Sequence, residues 1–120
     1  MNVIDDGRKV AKVRADLISP IAMLELSEML EWGCRPKESG GKGYGEGDWQ
    51  WTMKPSDFIG GILRHTFKIM AGQKKDVESG KSHAVHILFN AMGLVHVLAR
   101  GDKYEAYSSP ENFTTKALEN

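Results

Sequence analysis

The chain is short of the features that most often announce a function. It has one cysteine, Cys34, in 120 residues. A disulfide framework within the chain is therefore excluded, and a reducing compartment suits the protein. It has no surplus of either charge, since Lys plus Arg and Asp plus Glu each total 16. A general electrostatic hold on nucleic acid or an acidic membrane surface is thus unsupported. No long apolar run is present. The most apolar stretch, residues 84–99, is broken by His86, Asn90, Gly93 and His96, and is too short and too polar for a membrane span. Met1 to Asp6 contain no basic segment leading into an apolar one, so they do not read as a signal peptide. No long-period repeat recurs, which argues against a solenoid. The expectation is one soluble, cytoplasmic domain spanning residues 1–120, with a core small enough to be completed by oligomerisation.

What is present reads as helices. Residues 1–18 are an arm of mixed charge with about one turn of order. Ser19-Pro20 is a helix start, serine as N-cap and proline at the first helical position. Ile21, Met23, Leu24, Leu26, Met29 and Leu30 follow at helical spacings to Trp32, and Gly33 is expected to end the helix. From Cys34 to Met53 the periodicity vanishes. Glycines stand at 40, 41, 43, 45 and 47 with Tyr44, Trp49 and Trp51 among them. A long loop carrying that many aromatics reads as a binding loop rather than a linker. A second helix is expected from about Lys54 to Ala71, burying Ile59, Ile62, Leu63, Phe67 and Met70, with Gly72 stopping it. A polar connection, residues 73–82, ends in Ser82 as the cap of a third helix over roughly His83 to Ala99, with Gly101 beyond it. Residues 101–120 form a polar tail, and no segment alternates with period two. The fold class is all-α: a small helical bundle with its core over about 19–100.

The third helix is apolar nearly all round, which marks it as central. Its polar exceptions are therefore informative. At roughly 100° per residue, His83, His86 and Asn90 fall within about 60° of one another, whereas His96 points elsewhere. Buried polar groups must find partners, because an unpaired one costs roughly 1–3 kcal/mol. Asp76 and Glu78 stand just before this helix, and Arg64-His65 lies on the preceding one. Two histidines one turn apart with adjacent carboxylates can hold a divalent ion; equally, they can bond only backbone and carboxylates. Glu25, Glu28 and Glu31 share a face of the first helix, where a solvated row is the preferred reading over a Mg²⁺ site. Arg64, Lys68, Lys74, Lys75 and Lys81, with Lys42 in the glycine-rich loop, supply cations for an anionic substrate or are ordinary surface charges. The loop lacks the Gly-Lys-Ser/Thr ending of a Walker-type phosphate loop. Its aromatics can stack on a base or pack on the bundle.

Taken in order, Arg14-x-Asp16-Leu17, Gly43-Tyr44-Gly45, Asp48-Trp49, Arg64-His65, Gly72, Asp76-x-Glu78-Ser79-Gly80, His83-x-x-His86 and Asn90 form a specific series. Over roughly residues 14–98 it resembles the phage-type dATP/dGTP diphosphohydrolases, small all-α proteins similar to MazG-like nucleotide pyrophosphohydrolases. The resemblance implies hydrolysis of a purine deoxynucleoside triphosphate to the monophosphate and pyrophosphate, with Mg²⁺ or Mn²⁺. It also implies a helical bundle assembled as a homo-oligomer, in the host cytoplasm if phage-encoded, with no nucleic acid or membrane as partner. The chain departs from the common pattern at Gln73, where an acid is usual, at Asp48, where Asn is usual, and in the glycine-rich insertion from Pro36 to Lys42.

The expected site follows. Asp76, Glu78, His83 and His86 hold the metal, with His65 as a further ligand or as general base, and His65, His83, His86 and Asp76 form the catalytic set. Arg64, Lys68, Lys81 and Lys42 receive phosphates, Asn90 orients the ribose or a ligand, and Tyr44 or Trp49 covers the base. Paired imidazoles favour softer ions than Mg²⁺, so the histidines either ligate such an ion or orient water and phosphate around it. In the latter case the glutamates of the first helix become the oxygen ligands. Two other readings are a phosphohydrolase that removes a single phosphate, and a non-enzymatic helical module that binds another protein.

Overall fold

The computed structural model describes residues 12–100, whose regular elements are all helical, with no strand among those residues. The order is a 3-10 turn at Ala15–Leu17, then α1 (Pro20–Cys34), a 3-10 turn at Lys37–Ser39, α2 (Trp49–Thr52), α3 (Pro55–Met70) and α4 (His83–Arg100). The expected tail and Gly101, and most of the expected arm, lie outside the described residues. None of the helices is long and apolar enough to cross a membrane.

The capping signals operate as read. Ser19 Oγ accepts from the Ala22 N–H at 3.1 Å with Pro20 at the first position of α1, and Ser82 Oγ accepts from the Val85 N–H at 3.0 Å to open α4. At the start of α3, Asp57 reaches back to accept the Lys54 N–H at 2.8 Å. Gly72, at φ 95°, takes the left-handed turn that stops α3. One boundary moves: α1 runs through Gly33 to Cys34. Pro36 ends it, because a residue before proline is driven to extended backbone, and Arg35 has ψ 140°.

α4 is the hub, packing on α1, α2 and most extensively α3. Leu26 and Met29 of α1 meet Val85 of α4, with Trp32, Leu88, Phe89 and Met92 around them. Across α4, the fully buried Phe58 of α3 lies edge-on to Trp49 and Phe89. The expected buried stripe of α3 is corrected here. Phe58 and Gly61 face α4, while Leu63, Phe67 and Met70 are 47%, 60% and 77% exposed. The close approach is made at glycines, which carry no hydropathy signal. A Cβ on Gly93 of α4 would lie 2.2 Å from the Phe58 ring, and one on Gly61 would lie 2.6 Å from Asn90 Oδ1. Ile21 and Leu24 of α1 and Val95 and Leu98 of α4 are exposed as well.

Candidate functional site

The α3–α4 contact brings His65 against both histidines at the start of α4. His65 Nδ1 and His83 Nδ1 are 2.8 Å apart. The His65 and His86 rings stack, with centroids 4.4 Å apart and planes inclined by 11°. His83 is 1% exposed, and its Nε2 is buried without a hydrogen-bond partner among the described residues. A proton on that Nε2 would be an unpaired buried donor. The two Nδ1 atoms share one hydrogen bond, whose direction follows the tautomers of the two rings.

The connection between α3 and α4 delivers the carboxylate. It is a tight turn: the Asp76 N–H donates to the Lys81 carbonyl at 2.8 Å, and the Gly80 N–H to the Asp76 carbonyl at 2.8 Å. Gly80 has φ 71°, so glycine suits the position. Within the turn, Asp76 Oδ2 accepts the Ser79 N–H at 2.9 Å and lies 3.7 Å from His86 Nε2. Ligand atoms of His65, Asp76 and His83 all fall within 4.8 Å of one another. Two imidazoles and a carboxylate at that spacing, with a buried imidazole nitrogen lacking a partner, form a donor set that fits a divalent ion.

The surroundings set the charge of each group. Burial, then the neighbouring His86 and His83, push His65 down to about 4, so it is neutral at physiological pH. Burial also lowers His86, against the opposing pull of Asp76. Burial works to raise Asp76, but the Ser79 N–H and hydroxyl and the nearby imidazoles outweigh it and hold the carboxyl below its usual value.

These groups border a cleft of about 940 Å³. His65, Asp76, Glu78, His86 and Asn90 line it, as do Arg64, Lys42, Tyr44 and Trp49. His83 lies behind that wall, and Lys68 and Lys81 are also outside the lining. Glu78 is paired with Lys42 at 2.7 Å, joining the glycine-rich loop to the Asp76 turn, and stands apart from the His65–Asp76–His83 group. Lys81 Nζ is 4.0 Å from Glu28. Glu31 pairs with Arg35, and Glu25, Glu28 and Glu31 are all exposed, the solvated row expected. Asn90 is buried and donates to the His86 carbonyl at 2.8 Å. Tyr44 is 59% exposed, whereas Trp49 is held edge-on by Phe58, Phe89 and His96.

The sequence reading gave no role to Ser79, to Trp32 or to the cleft-lining Ser56 and Asp57. Trp32 lies edge-on to His86 at 6.3 Å and ties the loop down by donating from Nε1 to the Gly40 carbonyl at 3.0 Å. The spacing of Ser79 from Asp76, three residues on in a turn, was the available signal for its part.

A family profile described as dATP/dGTP diphosphohydrolase, N-terminal, matches residues 5–107. The chain belongs to this family. No curated protein and no solved structure matches the chain.

Proposed function

We propose that the protein hydrolyses purine deoxynucleoside triphosphates of the dATP/dGTP class, releasing the monophosphate and pyrophosphate. The observation that carries the reading is the juxtaposition of His65, Asp76 and His83 beside a cleft that also holds Arg64 and Lys42. Its volume, about 940 Å³, lies within the ordinary range for small-molecule sites.

His65, Asp76 and His83 would hold one divalent ion, Mg²⁺ or Mn²⁺. When bound, the ion neutralises phosphate charge and lowers the pKa of water. A base with a pKa of about 4 retains a proton poorly near neutrality, so His65 serves as a neutral ligand rather than as general base. His86 lines the cleft, stands outside that group of three, and receives the proton of the attacking water. Water adds to the α-phosphorus and the bond to the bridging oxygen of the β-phosphate breaks. Monophosphate, pyrophosphate and one proton are the products. Arg64 and Lys42 offset the charge gathering on the departing pyrophosphate. Tyr44, exposed at the cleft, stacks on the base; Trp49, locked among three rings, forms the wall. Asn90 holds the backbone of His86 in place. The exposed Leu63, Phe67 and Met70 of α3 and Ile21 and Leu24 of α1 support assembly into a homo-oligomer.

The test is incubation of the purified protein with each of the four dNTPs and Mg²⁺ or Mn²⁺, with products separated chromatographically. Monophosphate and pyrophosphate from dATP or dGTP, abolished by a chelator, are expected. Orthophosphate as the first product would assign the single-phosphate chemistry instead. No turnover from folded protein would leave the binding-module reading.

A further inference from the structure

The aromatic loop carries a second tryptophan, Trp51, that the proposed chemistry has not used. It is 72% exposed and does not line the cleft, although its neighbours Trp49, Gln50 and Thr52 all do. An indole so exposed packs little, yet this one has a partner. The guanidinium of Arg100 lies over its ring, 4.6 Å from the centroid. An Nη1 N–H of the same guanidinium is donated to the Gln50 carbonyl, 50 positions away in sequence.

α2 needs an anchor of this kind. It has four residues, too few internal bonds to hold a helix in place. The Gln50 N–H is donated to the Gly47 carbonyl at 3.0 Å, and the Trp51 and Thr52 N–H groups to the Asp48 carbonyl at 2.9 Å. The Thr52 hydroxyl is donated to that same carbonyl at 2.9 Å. All of these bonds lie within residues 47–52, so none of them ties α2 to the bundle. The ties come from two sides. Side chains two residues apart on a helix point about 200° apart, so Trp49 and Trp51 project in nearly opposite directions. Trp49 turns inward, edge-on to Phe58, Phe89 and His96. Trp51 turns outward and meets Arg100. A planar guanidinium can give an edge N–H to a carbonyl while its face stacks on a ring, a combination an ammonium cannot reproduce.

We infer that Arg100 is a positioning residue, which from the far end of α4 latches α2 onto the cleft and so holds the wall against which the nucleotide sits. It stands about 21 Å beyond His86 along the helix and does not line the cleft. It therefore acts on a ligand through the Gln50 backbone and the Trp51 ring rather than by touching it. With the latch released, the wall made by Trp49, Gln50 and Thr52 is in place for a smaller fraction of molecules, and apparent affinity falls by that fraction. The histidine–carboxylate group is left alone, because α3, α4 and the turn between them place it without α2. The effect on turnover rests on the proposed hydrolysis; the latch itself stands apart from it.

The experiment is hydrogen exchange of the Trp51 and Thr52 amides, read alongside steady-state kinetics with dATP and dGTP. The proteins are wild type, Arg100→Ala, Arg100→Lys, Trp51→Ala and the Arg100→Ala, Trp51→Ala double variant. Arg100→Ala should speed exchange and raise KM up to about 10-fold with kcat little changed. Trp51→Ala, a surface change that leaves the fold intact, should raise KM about 2- to 5-fold. Arg100→Lys keeps the charge without the planar fork and should follow Arg100→Ala. The double variant should be no worse than Arg100→Ala, which already removes both contacts. Exchange unmoved by Arg100→Ala, or Arg100→Lys indistinguishable from wild type, overturns the latch. Faster exchange with KM unmoved, or a loss confined to kcat, overturns the positioning role. The expected exchange pattern in a wild-type protein with no turnover would uphold the latch while refuting the proposed hydrolysis.

Discussion

Gly93→Ala adds one methyl group at the tightest point between α3 and α4. The new Cβ would lie 2.2, 2.6 and 2.8 Å from three atoms of the Phe58 ring, where carbon atoms prefer about 3.5–4.0 Å. Phe58 has nowhere to yield, being fully buried with the rings of Trp49 and Phe89 at its sides. An inserted methyl that forces such a shift costs about 1–3 kcal/mol, and alanine returns at most about 1 kcal/mol of helix propensity. The net loss is about 1–2 kcal/mol, or roughly 5–15 °C in Tm for a domain of this size. The control is Gly60→Ala on α3. Its Cβ would meet only Arg64 Nη1, at 3.1 Å, the far end of a flexible side chain. That variant should match or exceed the wild type by up to about 1 kcal/mol. Thermal unfolding at fixed protein concentration, without divalent ions, compares the three. Gly93→Ala unfolding at or above the wild-type temperature would refute the close approach of α3 and α4, and with it the placement of His65 against His83.

Other consequences are independent of that contact. His65 is depressed in the folded protein from 6.5 to about 4, so below pH 6.5 the unfolded chain takes up the proton first. Stability of the ion-free protein should be full above pH 6.5, fall as pH drops towards 4, and level off below. The loss amounts to about 1–2 kcal/mol once solvent screening of a partly exposed ring is allowed for; denaturant midpoints across that range check it. Lys42→Met breaks an ion pair whose Glu78 partner is 62% exposed, so stability should change by less than about 1 kcal/mol. It also removes a cation that offsets the charge gathering on the departing pyrophosphate, so kcat for the nucleotide should fall. Tyr44→Ala should raise KM without moving Tm. Trp49→Ala should instead cost roughly 2–3 kcal/mol, less than a fully buried tryptophan, read from the same unfolding curves.

The helices and their caps were legible because they rest on local chemistry. Ser19 and Ser82 cap as their positions imply, and Gly72 takes the left-handed turn. Which face of α3 is buried was not legible. Hydropathy favours Leu63, Phe67 and Met70, yet the helices meet where Gly61 and Gly93 let backbones approach, and glycine is silent on any such scale. At the site, the one-face arrangement of His83, His86 and Asn90 was visible from the helical period, and Asp76 from its nearness in sequence. Placing His65 Nδ1 at 2.8 Å from His83 needed the α3–α4 contact itself. Glu78 and Asp76 look equivalent in the sequence. The fold separates them by giving Glu78 to Lys42, a partner 36 positions away. Tyr44 and Trp49, likewise equivalent as aromatics in one loop, differ because only Trp49 is enclosed by Phe58, Phe89 and His96.

The most direct measurement is electron spin-echo spectroscopy of Mn²⁺ added to the protein, compared with the His65→Ala, His83→Ala double variant. Modulation from imidazole nitrogen is expected in the wild type and should disappear in the variant, because His65 and His83 are assigned as ligands. Mn²⁺ bound with oxygen coordination alone, or nitrogen modulation that persists in the double variant, would contradict the assignment.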